Sequence, residues 1–190
     1  PSQILGSIKA DGTVYVLNRA GVLFGASSQV NLHSLLASSL ELGSSTIPTG
    51  QTGVNSTRAL NLTERNNAYL QNGILTSGQS GLLGAVVGET HGEVAVQSGA
   101  QINAKGGFVI LAAPKVSSGG EITATIGGQV NLEAGSQIDV IASTGGASSI
   151  DPNVRGLVLA SKGGGSVDVS GSIAAAQGYI SLGTDQTGSV

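Results

Sequence analysis

Glu89, His91 and Glu93 alternate along the chain, so an extended backbone would carry all three side chains on one face. An imidazole between two carboxylates is a donor set that a divalent metal accepts. Structural zinc, however, takes four ligands, usually with cysteine or several histidines. The chain has no cysteine and two histidines, His33 and His91. The other reading of the trio is a solvated polar strand face, the ordinary state of exposed charges, and no metal or cofactor is expected. A second pairing is acid with acid. Glu133 in GGQVNLEA and Asp168 in GGSVDVSG occupy outward positions of repeated strands that adjacent coils could bring together. Glycoside cleavage needs such acids clustered on one face with defined acid and base roles. Nothing basic accompanies these two, so no catalytic site is expected. Nucleophile-elbow, phosphate-loop and dinucleotide signatures are missing, and the glycines at 163–165 precede a strand-like run rather than a helix. Asn55-Ser56-Thr57 and Asn61-Leu62-Thr63 fit the glycosylation triplet, which arises readily by chance in a chain rich in these residues, and read first as loop.

The elements that must carry these residues are built from small aliphatics. Of 190 residues 39% are hydrophobic but only 3% aromatic and 10% charged, so the core contains valine, isoleucine, leucine and alanine rather than rings. A disordered chain shows the opposite balance. The eight basic residues are scattered from Lys9 to Lys162 and the net charge is -3, which argues against a nucleic-acid partner that would demand a concentrated positive face. No apolar run reaches the roughly 20 residues of a membrane helix, GLLGAVVG at 81–88 being the greasiest stretch, and no membrane insertion is expected. Pro1 is followed at once by strand-like sequence, so the chain reads as a single domain over 1–190 that is a piece of a longer protein.

Aligned on Gly-Gly pairs, GGFVILAA, GGQVNLEA, GGSVDVSG and QGYISLGT fall into register. Val109, Val130, Val167 and Ile180 recur at one position, and Leu111, Leu132, Val169 and Leu182 two residues later. This alternation marks strands with one buried face, and these eight residues are read as one core ladder. SGAQINA, GGEITAT, AGSQIDV and SGSIAAA form a second interleaved set. Strands this short, joined by tight glycine-rich corners, suit a parallel β-helix of about eight or nine coils, each of roughly 20 residues. A β-sandwich also uses many short strands but prefers longer ones with hairpin signals, of which Asn72-Gly73 is the one example.

SQILGSIKADGTVYVLNRAGVLFG at 2–25, followed by VNLHSLLASSLEL and by GAQINAKGGFVILAAPKVSSGGEITATIGGQVNLEAG, resembles the two-partner secretion domain of filamentous haemagglutinin-type exoproteins, without its most N-terminal segment. The resemblance implies an all-β, right-handed parallel β-helix with an extra-helical hairpin. It also implies a secretion and structural module of a large surface-located or secreted bacterial adhesin-like protein. Such a module crosses the periplasm, is recognised by a partner outer-membrane transporter and folds outside the cell, with a host-cell or surface glycan ligand reached by the full protein. The family's Asn-Pro-Asn-Gly motif falls on Asn18, Arg19, Ala20 and Gly21, two of the four being changed. Asn and Gly stand where a type I turn wants them, so the four residues read either as a plain corner or as part of transporter recognition. The alternative role is a subunit of an extracellular filament that self-associates head to tail through open strand edges; a carbohydrate-active enzyme is a third.

If Val109 and Leu111 point inward, Phe108 and Ile110 point outward, where an apolar pair should be covered. Residues 43–90 are the expected extra-helical cover, and 142–156 the expected loop.

Overall fold

The computed structural model describes residues 1–42, 46–48, 57–59, 82–87, 92–125, 127–142, 157–185 and 189–190. Every regular element among them is a strand, numbered here in chain order. The first parallel sheet is ordered β1 (Ser2–Ile4), β4 (Val22–Phe24), β11 (Glu93–Val96), β14 (Lys115–Ser118), β19 (Ser166–Val169). The second is β2 (Ser7–Lys9), β5 (Gln29–Leu32), β12 (Gln101–Ala104), β15 (Glu121–Ala124), β20 (Ser172–Ala175). The third is β3 (Thr13–Leu17), β6 (Ser34–Ser38), β13 (Phe108–Ala113), β16 (Gln129–Ala134), β21 (Tyr179–Thr184). The chain visits first, second and third sheet in that order five times, as a parallel β-helix does. Each pass is called a coil below.

Alternation explains why these runs form strands. In β12, Ile102 and Ala104 are buried while Gln101 and Asn103 are half-exposed, and β5 and β15 repeat the pattern. Stacking strands in parallel register brings each inward side chain onto its equivalent: Val30 pairs with Ile102, and Ile102 with Ile122. Phe24 of the first sheet, Leu32 of the second and Leu111 of the third all belong to one buried cluster, so the three sheets share a single interior.

A fourth, antiparallel sheet is ordered β18 (Leu157–Lys162), β17 (Gln137–Ala142), β10 (Leu82–Val87), β7 (Glu41–Leu42). It covers the outer face of the third sheet. Leu36, Leu40, Ile110, Ala112 and Ile138 form a second buried cluster there, with Tyr15, Phe108 and Leu159 packed against it. The chain leaves the second coil through Ser38. Its hydroxyl donates to the Ala112 carbonyl (2.7 Å) and accepts from the Leu40 amide (2.9 Å), bending the backbone out of the ladder. A separate antiparallel pair joins β8 (Thr46–Pro48) to β9 (Thr57–Ala59).

Three expectations need correction. Among the described residues the expected eight or nine coils are five, β4 bonding directly to β11 and β14 directly to β19 with no strand between them in the first sheet. The eight-residue ladder divides. Val109, Val130 and Ile180 stack in the third sheet, as do Leu111, Leu132 and Leu182, but Val167 and Val169 pair with Val116 and Ser118 in the first. Any strand with one inward face shows the same alternation, so the pattern cannot tell one sheet from another. At the open end of the last coil, moreover, Ile180 and Leu182 are 42% and 39% exposed. Finally, AGSQIDV lies outside the coils. Its Ile138 packs on the outside of the third sheet, and the cover draws on β17 and β18 as well as on β10. Most of 43–90, and 143–156 of the loop expected at 142–156, lie outside the described residues.

Candidate functional site

The Asn18-Arg19-Ala20-Gly21 corner joins the first coil to the second. Its geometry follows from two bonds to Asn18: the Gly21 amide donates to the Asn18 carbonyl (2.7 Å) and the Ala20 amide to Asn18 Oδ1 (2.9 Å). Neither Arg19 nor Ala20 has a positive φ. The turns that require one are thereby excluded, and type I remains. Asn18 Nδ2 also donates to Ser2 Oγ (2.9 Å), its amide donates to the Ser38 carbonyl (3.0 Å), and the Ser2 amide donates to the Gly21 carbonyl (2.9 Å). One asparagine therefore ties the corner to both neighbouring coils, while Arg19 and Ala20 are held out in solvent. Gly21, at φ 106°, lies where a Cβ would stand 2.7 Å from the Glu93 carbonyl, and a Cβ on Gly92 would come within 2.5 Å of the Arg19 carbonyl. Only glycine permits that approach between successive coils. The arrangement presents an exposed two-residue tip on a hydrogen-bonded turn.

The described residues among those singled out for metal or acid–base chemistry are not gathered into one centre. Glu89 and His91 lie outside the described residues. Glu93 accepts from Ser117 Oγ (2.6 Å) and faces Lys115 Nζ at 3.3 Å, a part-exposed pair on the first sheet. His33 Nδ1 lies 2.8 Å from the Lys105 carbonyl, across the ladder at a second-to-third-sheet corner. Among the described residues no three His, Cys, Asp or Glu side chains cluster as metal ligands would. Glu133 and Asp168 sit on different sheets, the third and the first, because GGSVDVSG and GGQVNLEA occupy different sides of the coil.

Asp168 borders a shallow groove of about 600 Å³ on the outer face of the first sheet, with Leu23, Ala95, Gln97, Ser117 and Ser170. Among the described residues its lining holds a single carboxylate and no basic side chain. Glu133, by contrast, is buried under the cover, and burial pushes its carboxyl above the ordinary range. Its outward position was legible in the alternation. Its burial was not, since that requires β18, which no local pattern placed there.

No protein-family model matches the chain, and no curated protein matches it.

Proposed function

We propose that this chain is the secretion and structural module of a bacterial surface or secreted exoprotein of the two-partner type, folded as a right-handed, closed parallel β-helix. In this reading it crosses the periplasm, is recognised by a partner outer-membrane transporter and folds outside the cell, where the whole protein meets a host-cell or surface glycan. The observation that supports it is the Asn18–Gly21 corner, a hydrogen-bonded turn with two exposed residues at the position where the resemblance puts its recognition motif. The test is export of the chain into the medium with and without a co-expressed outer-membrane transporter of the two-partner type. The fusion carries a signal peptide, and the wild type is compared with Asn18→Ala. Transporter-dependent export that falls in the variant, with its β circular dichroism retained, is the expected result. Unchanged export in the variant would make the turn a plain corner, and no transporter dependence would overturn the reading.

A second reading, a head-to-tail filament, draws on the register of the two ends. Ile4, Ile8 and Val14 of the first coil occupy the same ladder positions as Val169, Ile173 and Ile180 of the fifth. A second copy stacked on the last coil would continue the columns that end at Ile173 and Ile180, whereas the edge of β19 is already partly taken by Ser189, which bridges Ser166. Sedimentation at rising concentration separates the two: the filament reading requires open-ended growth, and a monomer at all concentrations removes it.

A further inference from the structure

Glu133 joins three elements. It projects from the outer face of β16, accepts from Ser181 Oγ of the last coil at 2.6 Å, and accepts from Ser161 Oγ of the cover strand β18 at 2.8 Å. It is 2% exposed. Gly183, its register partner in β21, leaves the space the carboxyl fills, since a Cβ there would collide with Oε2. Its neighbours in the ladder and on its own strand face are Ala112, Gly183 and Asn131, all uncharged. On the cover, Ser161 faces it, while Lys162 and Asp139 alternate with Ser161 and Ile138 and so point to the far side of that sheet, where they pair at 2.7 Å. No cation reaches Glu133 among the described residues. A carboxylate desolvated without a counter-charge is costly, and protonation relieves that cost.

The adjacent contact is also unsettled. Asn131 is fully buried on the same face, and neither atom of its amide has a hydrogen-bond partner. An apolar seam around Ile110 and Ile138 thus gives way, toward β18, to a seam held by a buried acid and strained by an unpaired amide.

We propose that the docking of β18 on the last two coils is a proton-dependent clasp, tight when Glu133 is protonated and slack when it is ionised. The sign follows from linkage. Burial raises the affinity of Glu133 for its proton in the closed state, with the two serine bonds opposing this in part. Closure is therefore fully favoured below the ordinary glutamate range and loses that support as pH climbs through the raised closed-state value.

Hydrogen exchange of the 157–162 amides, corrected for intrinsic rates and referenced to β12, tests the clasp between about pH 8 and about pH 5. In the wild type, protection of β18 should rise severalfold toward the acid end. In Glu133→Gln, which is neutral and of the same shape, it should be high and flat. Ser161→Ala keeps the acid but removes a bond that supports its ionised form, and should lower protection while steepening the pH dependence. Asp139→Asn should leave the trend in place. A flat wild-type profile, or the same slope in Glu133→Gln, would overturn the proposal. So would protection indifferent to pH but raised by added calcium, which would place a bound cation at Glu133 instead.

Discussion

On the inner face of the third sheet, Val109, Val130 and Ile180 follow one another from coil to coil; on the outer face of the same three strands the succession is Ile110, Asn131 and Ser181. The inner column pairs like with like because every coil solves the same problem, a small aliphatic over a small aliphatic. The outer column has no such rule. It must match an antiparallel sheet assembled from three distant parts of the chain, and it does so well at Ile110 and poorly at Asn131. Repetition thus keeps this inner column self-consistent, although the interior holds an unpaired hydroxyl at Ser118, whereas the one-off interface leaves both atoms of the Asn131 amide unpaired.

Three substitutions press on this contrast. Val130→Asp puts an unpaired charge between Val109 and Ile180 in the shared interior, and should cost roughly 4 kcal/mol or more, unfolding all five coils together. Chemical denaturation checks it; a wild-type midpoint would mean that the inner column is not the common core. Asn131→Leu replaces an unsatisfied amide with an apolar side chain of similar shape, and should stabilise by about 1–3 kcal/mol. Its gain should appear chiefly as slower exchange in the cover strands, and a loss of stability would show that the amide has a partner in solution. The smallest effect is expected where the interior carries a misfit of its own. Ser118, stacked between Val96 and Val169, has a buried hydroxyl without a partner. Ser118→Ala should gain about 1 kcal/mol, read from the same denaturation curves. A clear loss would mean that the hydroxyl is satisfied and that the interior is as regular there as elsewhere.

The same contrast divides what was readable in the sequence. The strands around Val30, Ile102 and Val130 announce themselves by alternation, and glycine corners mark where each must stop, because both signals are local. Phe108 and Ile110 even declare that something lies over them. What covers them was hidden. Ile138 sits in a segment that reads like any coil strand, and only its pairing with β10 and β18 makes it part of the cover. Val167 was drawn into the wrong column for the same reason, since inward alternation carries no label for the sheet. The corner at Asn18 was legible in its turn chemistry, but the bonds to Ser2 and Ser38 depend on neighbouring coils. For Glu133 the sequence shows an outward acid; the serine partners and the loss of water come from strands 28 and 48 residues away.

The detour that takes the chain out of the second coil and returns it at the third also bears on how the molecule can assemble. Glu93 and Lys115, neighbours on adjacent coils, are 22 residues apart, whereas Ser38 and Ala112, equally adjacent, are separated by 74. Closing the longer loop costs about 1 kcal/mol more in chain entropy, before any contact repays it. Coils three and four can find each other by a short search, and so can coils one and two. Their union into one rod is the long-range event, and by contact order it is the slowest contact to form along the axis.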